Sequence, residues 1–64
     1  MAFLAVDKDG EEAVFSDNPI RDISLGMWRG ECVYLPIGSI MKLIRRKMSW
    51  ADEPAELTER PQEG

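Results

Sequence analysis

Apolar positions recur along this chain with two periods, two residues in most of it and a helical repeat in one stretch. Ala2-Phe-Leu-Ala-Val6 and Ala13-Val-Phe-Ser16 are short apolar runs on either side of the polar segment Asp7-Lys-Asp-Gly-Glu-Glu12. Asp9-Gly10 is a tight-turn dipeptide, since Gly accepts φ > 0 and Asp tolerates it, so residues 2–16 predict a β-hairpin. Alternation sets Phe3 and Ala5 on one face and Leu4 and Val6 on the other. Both sets are apolar, so this strand is expected to be covered on both sides. Asp17-Asn-Pro19 then supplies turn residues. Between 20 and 30 the pattern weakens: Ile20, Ile23 and Leu25 alternate loosely, and Gly26 and Gly30 bracket Met27-Trp-Arg29. That stretch reads as a loop with at most a short strand, anchored by Trp28. Glu31-Cys-Val-Tyr-Leu35 is a further strand by its β-branched and aromatic content, and Pro36 ends it because Pro cannot donate into a ladder.

A helix is predicted over 39–48. Ser39 is the N-cap candidate, and Pro36 and Gly38 suit an irregular approach to it. Ile37, Ile40, Met41, Ile44 and Met48 form an apolar stripe with Leu43 beside it, while Lys42, Arg45 and Arg46 lie opposite. Ser49-Trp-Ala-Asp52 has capping-box spacing and predicts a single turn. Pro54-Ala-Glu-Leu57 suits a short edge strand, with Pro where no ladder donor is lost. The expected fold is α+β: a small antiparallel sheet of three to four strands with one amphipathic helix packed on it, in the order β-β-β-α-β. Residues 1–57 are expected to form a single small domain. Residues 58–64, without a large apolar side chain, are expected to be a disordered acidic tail. The expected core is Phe3, Val14, Phe15, Val33, Leu35, Ile40, Ile44 and Trp50.

Size and composition sharpen this picture. Sixty-four residues make one domain at most, and so small a core rarely supplies more than ~3–5 kcal/mol. One cysteine, Cys32, leaves no internal disulfide, and with no His there is no Cys/His metal set. A composition 44% hydrophobic is too apolar for a disordered chain, so self-association into a homodimer is expected. The start has no basic n-region and its apolar run stops at Asp7, unlike a signal peptide. No stretch approaches the ~20 apolar residues that span a bilayer, so no membrane is expected, and a lone thiol without a secretory signal fits a reducing cytoplasm.

Charge is distributed unevenly. Net charge is -4, yet four of eight basic residues (Lys42, Arg45, Arg46, Lys47) fall between 42 and 47. Such a cationic helix can meet phosphates, but the acidic balance and the lack of a second basic patch favour a solvated face, or one that meets an acidic protein. Trp28 and Trp50 are the largest apolar groups. Trp50, ending the helix, is expected in the core, whereas Trp28 divides between core and partner contact. The acids Asp7, Asp9, Glu11 and Glu12 faintly match the start of a calcium loop. Ser16 stands where its bidentate acid belongs, so a solvated turn is the expectation. Cys32 reads as a small buried hydrophobe. No base–nucleophile pairing or phosphate-cradling Gly loop is written, so no enzyme activity, cofactor or metal is expected.

Three segments carry a resemblance: Phe3-Leu-Ala-Val-Asp-Lys-Asp-Gly10, Tyr34-Leu-Pro-Ile-Gly-Ser-Ile-Met-Lys-Leu-Ile44 and Ser49-Trp-Ala-Asp-Glu-Pro-Ala-Glu-Leu57. As a set they resemble a group of very small, uncharacterised accessory proteins of bacteriophages and prophages. That group's pattern runs from a Leu-Ala-x-Asp-Lys-Asp-Gly hairpin through a Leu-Pro-x-Gly-Ser helix start to a Trp-x-Asp-Glu-Pro ending. The likeness covers residues 3–57 apart from the middle loop. The group often carries Gly after Leu-Ile; here Arg45 and Arg46 stand there, which implies a longer, more charged helix. The resemblance implies a non-enzymatic protein-binding module in the host cytoplasm, inhibiting a host defence or nucleic-acid-handling protein. Trp28, Arg29, Lys42, Arg45 and Arg46 are the expected partner-binding residues. A nucleic-acid-binding accessory factor using helix 39–48 is the alternative, and a passive structural or assembly component a further one.

Overall fold

A computed structural model of the chain describes residues 2–57, so the expected tail at 58–64 lies outside the described residues. Along the chain come β1 (Ala2–Val6), β2 (Glu12–Phe15), β3 (Ile20–Asp22), β4 (Met27–Arg29), β5 (Cys32–Leu35), α1 (Ser39–Ile44) and β6 (Ala55–Leu57). A four-stranded antiparallel sheet is ordered β5-β2-β1-β6, and β3 and β4 pair as a separate two-stranded antiparallel hairpin. Antiparallel sheet plus one helix agrees with the expected α+β class. The expected order and the single sheet do not hold, because the stretch read as a loop is the β3–β4 hairpin. Its turn rests on local chemistry: Asp22 Oδ1 accepts the Leu25 N–H at 3.0 Å, the Gly26 N–H donates to the Asp22 carbonyl at 2.9 Å, and Gly26 takes φ 69°.

Strand β1 lies between two covers. Opposite β2 its register is Phe3–Phe15, Leu4–Val14, Ala5–Ala13 and Val6–Glu12. On one face Ala5, Ala13 and Phe15 are buried with Trp28 of the hairpin, and Phe3, Cys32 and Trp50 pack against them. On the other, Leu4 and Val6 are buried with Ile40 of α1, and Val14, Leu35, Ile44, Met48, Ala55 and Leu57 join them. The two-sided covering expected of this strand is therefore present. Of the expected core, Phe15 and Ile40 are fully buried and Phe3, Val14, Leu35, Ile44 and Trp50 partly so. Val33 is the correction: it is 64% exposed, because β5 is an edge strand and the buried helix residue Ile40 sits over β1.

The helix is shorter than its apolar stripe predicts. It stops at Ile44, where Arg45 turns left-handed (φ 61°) and donates its N–H to the Met41 carbonyl at 2.8 Å. Met48 still packs on the helix face of the sheet from beyond the helix end. Ser39 is also not the cap: Gly38 holds that position, and the Ser39 hydroxyl donates to the Pro36 carbonyl at 2.6 Å. The cap comes from β2. Glu12 accepts the Gly38 N–H through Oε2 and the Ile40 N–H through Oε1, both at 2.9 Å. A carboxylate thus takes two of the orphan donors of the first turn, at the helix end where negative charge is favoured.

An L-residue held left-handed stores strain that glycine does not feel. Arg45→Gly is therefore expected to raise stability by about 0.5–1 kcal/mol, net of glycine's extra chain entropy. Chemical denaturation checks this; a loss of stability in the variant contradicts the strained geometry at the helix end.

Candidate functional site

The hairpin is fastened from within. Trp28 is 3% exposed; its backbone N–H donates to Asp7 Oδ1 at 3.0 Å and its indole Nε1–H to the Val6 carbonyl at 2.9 Å. Its ring meets Trp50 edge-on, with centroids 5.6 Å apart. The Arg21 guanidinium lies 4.6 Å from the Trp28 centroid and 5.0 Å from that of Trp50, a cation–π arrangement with both rings. Arg21 Nη2 also donates to the carbonyls of Trp50 (2.8 Å) and Asp52 (3.2 Å), tying the hairpin to the segment after the helix. That segment closes as Ser49-Trp-Ala-Asp52 predicts: the Ser49 N–H donates to Asp52 Oδ2 at 2.8 Å and the Asp52 N–H to the Ser49 carbonyl at 3.0 Å.

These bonds place the expected site residues apart. Trp28 is a core residue, and its ring is reachable by a partner only if the hairpin opens. Arg29, next to it, is exposed and lies 3.4 Å from Asp22 Oδ2 across the hairpin, a surface pair worth little. Lys42, Arg45 and Arg46 are exposed around α1, as is Lys47. Among the described residues none of them pairs with Asp52, Glu53 or Glu56. Three large apolar side chains share that segment: Ile37, Met41 and Leu43 are all exposed, Ile37 at 72%. The helix surface thus joins exposed cations to uncovered hydrophobes, while Trp28 and Arg29 stand on a different element.

The acidic turn divides into two kinds of residue. Asp9 and Glu11 are exposed as expected of a solvated turn, and Asp9 Oδ1 accepts the Glu11 N–H at 3.0 Å. Asp7 and Glu12 are not solvated in that way. Asp7 is 6% exposed and accepts both the Trp28 N–H and the Tyr34 hydroxyl, the latter at 3.3 Å, and Glu12 caps the helix. Sequence reasoning missed both, and Arg21 as well, because their partners lie 21 to 31 residues away. No group of three or more Cys, Asp or Glu residues placed to hold a metal occurs among the described residues.

Partial burial pushes the half-exposed Tyr34 phenol above its ordinary value of 10.0, and the charge of Asp7 adds to the rise. The Cys32 thiol is raised for the same two reasons in the same order. Both groups are held in their neutral, less reactive forms. Comparison with protein-family models, curated proteins and solved structures finds no match to the chain.

A phenol whose folded value is raised contributes stability that is full below 10.0 and is lost as pH climbs through the folded value. The stability gap between wild type and Tyr34→Phe should therefore narrow as pH rises above that point. Urea unfolding across the alkaline range measures it. A gap that widens there contradicts the contact between Tyr34 and Asp7.

Proposed function

We propose that the chain is a non-enzymatic protein-binding module, an accessory protein of a phage or prophage that holds a host protein through the outer surface of α1. One observation carries the reading: exposed Ile37, Met41 and Leu43 lie on the same short segment as exposed Lys42, Arg45 and Arg46. Apolar contact gives a partner affinity, and an exposed cationic surround steers an acidic one. The complementary surface is apolar at its centre and acidic at its rim. The choice of a host defence or nucleic-acid-handling protein as the target rests on the resemblance alone. Arg45, left-handed at the helix end where Gly would relax, puts a strained residue on this surface, and strained residues cluster at functional sites. Arg45 also stands where the resembling phage proteins often carry Gly, so the cation here is a departure specific to this chain. The phage setting and inhibition as the outcome rest on that resemblance.

Nucleic acid is the second reading, favoured by the exposure of all four cations between 42 and 47. The uncovered hydrophobes beside them weigh against it, because phosphate contact does not need them.

The discriminating experiment is capture from host lysate with wild type and with Arg45→Glu/Arg46→Glu, foldedness being checked by circular dichroism. One host protein retained at fixed stoichiometry by wild type should bind the variant at least about tenfold more weakly, with stability nearly unchanged. If DNA is the partner, the same variant should lower the slope of log affinity against log salt by about 2. Retention equal to wild type in both assays overturns the use of this surface.

A further inference from the structure

The two edges of the four-stranded sheet are built differently. Strand β6 is three residues long, follows Pro54 and exposes Glu56, which are the devices that keep a sheet edge from being extended. Strand β5 carries no such residue within its own span, although Pro36 and Glu31 flank it. Its four residues, Cys32-Val-Tyr-Leu35, include no charge, Pro or Gly, and it pairs with β2 alone. Its side chains are uncovered: Val33 is 64% and Tyr34 48% exposed.

The register shows which backbone groups are on offer. Val14 lies opposite Val33 and Glu12 opposite Leu35, and the Ser16 N–H donates to the Glu31 carbonyl at 3.4 Å. Antiparallel ladders alternate, so residues 31, 33 and 35 direct their N–H and C=O toward β2, and Cys32 and Tyr34 direct theirs away from the sheet. Two donors and two acceptors therefore stand in a row on a neutral, apolar strand.

We propose that this edge joins two copies of the chain, β5 pairing antiparallel with β5 of the second copy about a twofold axis through Val33. In that register Cys32 faces position 34 of the other copy and Tyr34 faces position 32, so all four outward groups of each strand are used. Val33 meets its own counterpart at a close, non-hydrogen-bonded position, where its exposed side chain is covered from the other side. The register also separates the two Glu31 carboxylates by about four residues, roughly 13 Å along the strands, beyond the screening length at physiological salt. A strand that satisfies itself under a twofold operation fits an isologous dimer. So short an edge gives a small interface, and the expected affinity is micromolar rather than tighter. This edge shares no residue with the helix surface proposed for partner binding, and its test uses none of those cations.

Sedimentation equilibrium on the full chain should show a reversible monomer–dimer equilibrium within about 1–500 µM. Val33→Lys, at an exposed position, should keep the circular dichroism and melting behaviour of dilute wild type yet remain monomeric at the highest concentration. Cross-linking gives a second readout in a Cys32→Ser background. Val33→Cys should oxidise readily to a covalent dimer, since non-hydrogen-bonded antiparallel pairs set Cα atoms ~4.5 Å apart, within the ~4.4–6.8 Å that a disulfide spans. Ile23→Cys, on the exposed turn of the hairpin, should not. Wild type monomeric throughout the range, a Val33→Lys variant that dimerises like wild type, or equal cross-linking at the two positions would each overturn the proposal.

Discussion

Strand β1 must be dry on both faces, and the rest of the molecule follows from that requirement. A four-residue alternation of Phe3, Leu4, Ala5 and Val6 puts apolar groups on each side, so a sheet with one helix is not enough to bury them. The chain supplies the helix for one face and the β3–β4 hairpin for the other. Each cover is bonded through its backbone to one carboxylate at the β1–β2 connection. Asp7 takes the Trp28 N–H of the hairpin, and Glu12 takes the Gly38 and Ile40 N–H groups of the helix. Both covers are thin: neither hairpin strand exceeds three residues and the helix has six, well short of what holds a helix in isolation. Charge-assisted bonds to a buried or half-buried acid supply the orientation that length does not.

The same economy decides which surfaces remain for partners. Arg21 and the tryptophan pair are consumed in clamping the hairpin to the segment after the helix, so the largest aromatic groups face inward. What stays outside is mostly aliphatic. Ile37, Met41 and Leu43 border the cations of α1, and Val33 and Tyr34 mark the open edge of β5. The proposed partner-binding helix and the proposed dimer edge thus draw on different residues.

Much of this was legible in the sequence because it depends on local pattern. The first hairpin, the strands ending at Leu35 and Leu57 and the Ser49–Asp52 turn are each set by residues within a few positions of one another; the helix cap is not, because Glu12 supplies it from β2 in place of the expected Ser39. The β3–β4 hairpin was not legible, since strands of three residues cannot display a period and Ile20, Ile23 and Leu25 point to solvent. Nor was the helix end: Ile44 and Met48 keep helical spacing, yet the chain turns left-handed at Arg45 and Met48 reaches the same face from outside the helix. In the candidate site, the exposure of Lys42 agrees with its place opposite Ile40 and Ile44, but Arg45 and Arg46 lie beyond the helix end, and Ile37 and Met41 of the expected stripe are exposed. The burial of Trp28 was not legible, because its bonds run to Val6 and Asp7, in a strand that gives no local sign of them. Acids in a turn normally serve solvent; Asp7 and Glu12 differ through partners distant in sequence.

Native-state hydrogen exchange on Asp7→Ala and Glu12→Ala tests most directly whether each cover is held by its own carboxylate. Glu12→Ala should speed exchange at the amides of Gly38 and Ile40 and through α1, leaving the Trp28 amide and indole protected relative to β1 and β2. Asp7→Ala should do the reverse, freeing the Trp28 amide and indole while the helix amides hold. Uniform loss of protection across both covers in either variant, or unchanged exchange at the amides that each carboxylate accepts, would contradict it.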